Sequence, residues 1–124
     1  LVALNHTIVW SSDQKNAARF LAEILGRPEP VPFASFDVVE LDNGVSLDFM
    51  TTDKAVAPQH YAFLITEAEF DAVFGRLREQ GVAYWADPGR QRANEINHND
   101  GGRGVYFRGP DDHLLEVITR PYGS

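Results

Sequence analysis

Gln59-His60-Tyr61-Ala62-Phe63-Leu64-Ile65, running straight into Thr66-Glu67-Ala68-Glu69, is the stretch that decides the fold. The first seven residues read as a strand. Thr66 and Glu69 stand three apart, the spacing of a capping box, so a helix is predicted to start there. Phe70, Val73, Phe74 and Leu77 then give that helix one apolar face, and Gly81 closes it. The N-terminal stretch has the same order. Leu1–Trp10 reads as a strand and Ser11-Ser12-Asp13-Gln14 as a capping box with Ser11 and Gln14 three apart. Ala17, Phe20, Leu21, Ile24 and Leu25 follow at helical spacing, Gly26 stops the helix and Pro28 blocks its continuation. His6 precedes Gly26 by twenty residues and His60 precedes Gly81 by twenty-one. The chain therefore reads as an internal duplication of one strand–helix–strands unit.

The remaining elements fill out each unit. Phe33–Leu41 and Val45–Met50 read as strands around the hairpin signal Asp42-Asn43-Gly44. The polar segment Thr51–Pro58 reads as a linker between modules of about 1–52 and 58–124. Val82–Ala86, Gly104–Arg108 and His113–Arg120 read as the later strands, with Gly109-Pro110-Asp111-Asp112 as a turn. Asp87–Gly102 is long and polar, the kind of loop that is usually functional or mobile.

Composition narrows the function. The 124 residues suit one compact domain or two packed half-domains. The absence of cysteine excludes disulfides, zinc-thiolate sites and cysteine nucleophiles, and fits a reducing cytoplasm. A net charge of −7 repels phosphate backbones, so nucleic acid is not an expected partner. No run approaches the roughly 18 apolar residues of a membrane span, and no basic region followed by a long apolar stretch marks a signal peptide.

Strand side chains alternate between faces. Leu4, His6, Ile8 and Trp10 share one face; His60, Ala62 and Leu64 another; Leu114, Glu116 and Ile118 a third; Ser46, Asp48 and Met50 a fourth. A lone histidine on such a face is most simply a hydrogen-bonded core residue. Glu116 within Leu-Leu-Glu-Val-Ile is harder to accommodate, because an unpartnered buried carboxylate costs several kcal/mol or more. It requires a cation, a proton or a metal, and Arg120 is the nearby salt-bridge partner. Two histidines at cognate positions of a duplicated unit favour the metal. His6, His60 and Glu116 form a borderline-to-hard donor set that suits one divalent ion of Fe, Mn, Zn, Ni or Co. Three protein ligands leave positions open for substrate. Asp48 occupies the position cognate to Glu116. It is either a fourth ligand, with a side chain one methylene shorter, or an exposed strand aspartate near the Asn43-Gly44 turn.

Leu4-Asn5-His6-Thr7, the helix ending Leu25-Gly26, Gln59-His60-Tyr61-Ala62-Phe63 and Tyr106-Phe107-Arg108-Gly109-Pro110-Asp111-Asp112-His113-Leu114-Leu115-Glu116-Val117 together resemble the vicinal oxygen chelate superfamily. That group includes glyoxalase I, extradiol dioxygenases, fosfomycin-resistance thiol transferases and bleomycin-binding proteins. The resemblance implies an α+β fold in which two βαβββ modules form a cupped mixed sheet around a central site, helices outside. It carries His6, His60 and Glu116 over as metal ligands. It also implies a small substrate that chelates the ion through adjacent oxygens, with the ion acting as a Lewis acid or activating dioxygen. The sequence departs from the family pattern at Asp112, where glycine is usual, and at Asp48, where glyoxalases and epimerases carry Glu or Gln. The three-ligand set agrees better with the dioxygenase and fosfomycin-type branches. The latter requires basic residues, for which Arg90, Arg92, Arg103 and Arg108 are the candidates.

Three further residues complete the expected site. His98 is a candidate acid–base group near neutral pH or a solvent-exposed loop histidine. Tyr106 is a hydrogen-bond donor to the reacting group or a packing residue. Trp10, on the face of His6, walls an apolar pocket or packs in the core. His113 alternates away from Glu116 and reads as non-ligating. The sequence thus points to a divalent-metal-dependent enzyme, dioxygenase-like ahead of lyase or isomerase. The alternative is a metal-independent antibiotic-binding protein. A homodimer would cover exposed sheet edges.

Overall fold

The structure is a computed structural model that describes residues 1–123. It divides into two compact units, Leu1–Ala57 and a second beginning at Pro58. The strands of each unit are β1 (His6–Ser11), β2 (Val31–Phe33), β3 (Phe36–Glu40) and β4 (Ser46–Thr51) in the first, and β5 (His60–Leu64), β6 (Tyr84–Trp85), β7 (Gly104–Arg108) and β8 (Leu114–Ile118) in the second. One helix accompanies each set, α1 (Gln14–Leu25) and α2 (Glu67–Glu79). The sheets run β1-β4-β3-β2 and β5-β8-β7-β6, so the order of one repeats in the other. The first pair of each sheet is parallel and the rest antiparallel. This is the α+β arrangement of two βαβββ modules. Among the described residues no helix is long and apolar enough to cross a membrane.

In the first unit the buried face of the sheet, Val9, Val39, Leu47 and Phe49, belongs with Ala17, Ala18, Leu21, Ala22 and Ile24 of α1. Each large apolar side chain buried there contributes about 1.5–3 kcal/mol. The helix begins two residues later than the sequence suggests. Asp13, not Ser11, is the N-cap and accepts from the Asn16 amide at 3.2 Å. Gln14 does not complete a capping box. Its side chain donates to Asp37 at 2.7 Å and accepts from the Thr51 amide at 2.8 Å, tying α1 to β3 and β4. Gly26 ends the helix in the left-handed region (φ 70°), as its lack of a Cβ permits. The single strand expected over Phe33–Leu41 is a tight hairpin in which Ala34, at φ 50°, makes the turn between β2 and β3.

The second unit follows its sequence more closely. Thr66 and Glu69 make both bonds of the capping box, at 3.1 and 2.9 Å. Phe70, Val73 and Leu77 are buried together with Phe63, Val105, Phe107, Leu115 and Val117. Segment 87–102 is an ordered structure, not a loose loop. Ala86 and Asn94 donate to the carbonyls of Arg92 and Tyr84, extending β6 into a hairpin. Asp87 caps its tip by accepting from the amides of Gln91 and Arg92, which holds that carboxyl below the ordinary range. Asn97 is buried, donates its amide to Ala86 O at 2.8 Å and pairs with Gly104 by two backbone bonds.

Candidate metal centre

The duplication extends to register. In the second sheet one row runs Ala62–Glu116–Tyr106–Trp85 across four strands. In the first sheet the row Ile8–Asp48–Val38–Val31 stands in the same place. Two residues nearer the strand starts, His60 pairs with Leu114 and His6 pairs with Ser46. The cognate positions inferred from spacing are therefore cognate in hydrogen bonding as well.

Each unit treats its carboxylate differently. In the second, Glu116 is 7% exposed and its Oε1 lies 3.1 Å from Nε2 of His60, which is half exposed. The Tyr106 phenol also hydrogen-bonds Glu116, and its ring stacks on His60 with centroids 6.1 Å apart. Burial raises the Tyr106 hydroxyl well above the ordinary phenol range, and the bond to the Glu116 carboxylate raises it further, so it stays protonated and serves as a donor. In the first unit Asp48 is buried and accepts from Ser46 Oγ at 2.9 Å. His6 is exposed, with Nδ1 2.6 Å from its neighbour Asn5 Oδ1.

The His60 ring is oriented by the backbone. Its Nδ1 lies 3.0 Å from the Leu114 carbonyl, which can only accept, so Nδ1 carries a proton. In the neutral ring Nε2 then presents a lone pair, and it faces a carboxylate oxygen. Two acceptors at this distance need a cation between them, either a proton or a metal ion. Two donors each about 2.1 Å from one ion stand about 3.0 Å apart at a right angle and about 3.4 Å apart at a tetrahedral angle. The observed 3.1 Å lies within that span. An imidazole whose other nitrogen donates to a backbone carbonyl is also the usual state of a ligating histidine. The pair fits a divalent metal in both chemistry and spacing. Among the described residues no three His, Cys, Asp or Glu side chains are grouped as a metal set.

The other expected residues divide clearly. His98 is exposed next to the anchored Asn97, and no hydrogen bond ties it to His60, Tyr106 or Glu116 among the described residues. Arg103 is engaged by Glu67 at 2.7 Å and Asp71 at 2.8 Å and lies over the Phe70 ring, so it clamps α2 and is not free to hold an anion. Arg92 pairs with Glu95 and Arg108 with Asp112. Trp10 is exposed, as is Ile8, so the open face of the first sheet has apolar residues around Asp48. Sequence reasoning missed the Leu114 carbonyl that orients His60 and the Ser46 hydroxyl that holds Asp48. Only the strand register reveals them.

A family model described as Glyoxalase/Bleomycin resistance protein/Dioxygenase superfamily matches residues 3–117. The chain belongs to this superfamily. A solved structure of the oxidase ChaP-H1 is 60% identical, covers 100% of both chains and superposes with a TM-score of 0.98. The glutathione transferase FosA of Serratia marcescens is 30% identical over 123 residues, 94% of this chain and 80% of that one. The metallothiol transferase FosB of Shouchella clausii (strain KSM-K16) is 47% identical over 60 residues, 48% of this chain and 37% of that relative's length. These three relatives are enzymes by name, one an oxidase and two transferases.

Proposed function

We propose that this chain is a divalent-metal-dependent enzyme of the oxidase or dioxygenase type, acting on a small molecule that presents two adjacent oxygens. The observation that carries the reading is the pairing of His60 Nε2 with Glu116 Oε1, two acceptors oriented toward one cation. His60 and Glu116 are assigned as metal ligands, and His6 as the third by its cognate position in the first unit. Asp48 keeps a lesser claim as a fourth ligand, because its Oδ1 is already engaged by Ser46. The set suits Fe, Mn, Zn, Ni or Co. When bound, the ion supplies Lewis-acid activation of the chelating oxygens and, for an iron ion, access to dioxygen chemistry.

The chain's own residues have separate tasks. Glu116 supplies the negative charge that holds the ion. Tyr106 keeps a proton at its phenol oxygen, orients Glu116 and stands as a donor beside the reacting centre. His98 is retained as an acid–base candidate on the loop over 87–102. Oxidase chemistry is favoured over thiol transfer for two reasons. The likeness to ChaP-H1 covers the whole chain. Three of the arginines that an anionic substrate would need, Arg92, Arg103 and Arg108, are paired with carboxylates. A metal-free antibiotic-binding role has less support, since it gives the His60–Glu116 pair no purpose. Exposed apolar residues such as Val31 and Phe33 on the edge strand of the first unit support a homodimer.

The test is dioxygen uptake by the iron-loaded protein across a panel of ortho-dihydroxy and β-hydroxycarbonyl compounds. Substrate-dependent uptake that a chelator abolishes upholds the reading. Conjugation of a thiol without dioxygen uptake moves the chain to the transferase branch.

A further inference from the structure

We propose that His113 is a positioning residue for the His60–Glu116 pair, acting by accepting the backbone N–H of Gln59 and so fixing where β5 starts against β8. The proposal rests on the metal reading of that pair. His113 is buried, on the sheet face opposite Glu116. Its Nδ1 lies 2.9 Å from the Gln59 amide nitrogen. An amide can only donate, so this Nδ1 has no proton, the reverse of His60. The Tyr61 ring meets the imidazole edge-on, with centroids 5.6 Å apart.

The contact falls at the end of an edge-strand pairing. Among the described residues β5 is the outer strand of its sheet and pairs there with β8. His60 is its first residue, so the metal-facing imidazole stands at the end of the ladder. Three bonds stitch that end: Gln59 N to His113 Nδ1, Leu114 N to Gln59 O at 2.9 Å, and His60 Nδ1 to Leu114 O at 3.0 Å. A slip of one residue would turn His60 to the other face and away from Glu116.

The other unit provides an internal comparison. There Asn5 stands for Gln59, Ser46 for Leu114, and Val45 for His113. The backbone bond is kept, since Ser46 N donates to Asn5 O at 3.0 Å. Val45 offers no side-chain acceptor. At that end His6 does not lie on the Ser46 carbonyl; its Nδ1 is directed to Asn5 Oδ1. The histidine docked across the strand pair is the one whose preceding amide is held by an imidazole.

The experiment titrates the full chain with Mn(II) alone and follows amide hydrogen exchange at Gln59 in the metal-free protein, for wild type and His113→Asn, His113→Gln and His113→Leu. Asn Oδ1 stands as many bonds from its Cα as His Nδ1, so it keeps the acceptor, whereas Gln places its oxygen one bond too far. Expected are Mn(II) affinity and Gln59 protection close to wild type for His113→Asn. The Gln and Leu variants are expected to bind about ten- to a hundredfold more weakly, with faster Gln59 exchange. Wild-type affinity in His113→Leu, or equal loss in His113→Asn and His113→Gln, overturns the proposal. If His113→Leu does not fold, the Asn–Gln comparison decides alone. Failure of the metal reading looks different. Wild type then takes up no Mn(II), and Gln59 exchange in the Asn and Gln variants decides whether His113 positions the strand.

Discussion

Tyr106 lies directly across the strand pair from Glu116, hydrogen-bonds its carboxylate and stacks on the ring of His60. One phenol thereby holds both members of the candidate metal pair. Tyr106→Phe keeps the ring and removes only the donor. The expected effects are a loss of about 0.5–1.5 kcal/mol in unfolding free energy and a metal affinity about ten- to a hundredfold lower. Denaturant melts and Mn(II) titration of the same preparation check both.

Asp112 replaces the glycine usual in its turn and sits at φ 63°, directly after Asp111 at φ 67°. Side chains other than glycine are strained there. Asp112→Gly also removes the exposed contact to Arg108 at 3.5 Å, which contributes little. The variant is expected to be more stable by about 0.5–1 kcal/mol, read as a rise in Tm with metal binding unchanged.

Gly104 marks the opposite case. A Cβ there would stand 2.9 Å from the Asn97 side-chain oxygen, and that amide is buried and already bonded to Ala86. Gly104→Ala is expected to cost about 1–3 kcal/mol and to loosen segment 87–102, measured by denaturant unfolding and by faster amide exchange at Asn97.

The clamp on α2 predicts a pH dependence. Hydrogen bonds from Thr119 and then from Arg103 hold the Glu67 carboxyl below its ordinary range in the folded chain. A lowered folded value means the unfolded chain binds the proton more readily. The stabilisation is therefore present above about pH 4.3 and is lost as pH falls through the folded value. Glu67→Gln should flatten the stability profile in that acidic window and leave it unchanged at neutral pH in shape. Melts from roughly pH 3 to 7, across the carboxylate range, read the difference.

Much of this architecture is legible in the chain. The Thr66–Glu69 box, the Gly26 and Gly81 stops and the cognate histidines disclose the repeated unit, because capping and periodicity are local and each leaves a mark within a few residues. The details that escape reading depend on distant partners. Ala34 turns a predicted strand into a hairpin against the preference of its own side chain. Gln14 abandons a local cap for Asp37 and Thr51. Asp87 and Asn97 convert a polar run into a pinned hairpin. At the site, spacing singles out His60 and Glu116, yet the Leu114 carbonyl that sets the imidazole tautomer, and the His113 ring beneath Gln59, exist only once β5 and β8 are in register.

The most direct test of the account is metal stoichiometry in protein stripped by chelator and titrated with Mn(II), comparing wild type with Glu116→Gln. Glutamine keeps the shape of the side chain and removes its charge. Wild type is expected to bind saturably and Glu116→Gln at least about a hundredfold more weakly, with the fold intact by circular dichroism. Equal uptake by the two proteins would contradict the account.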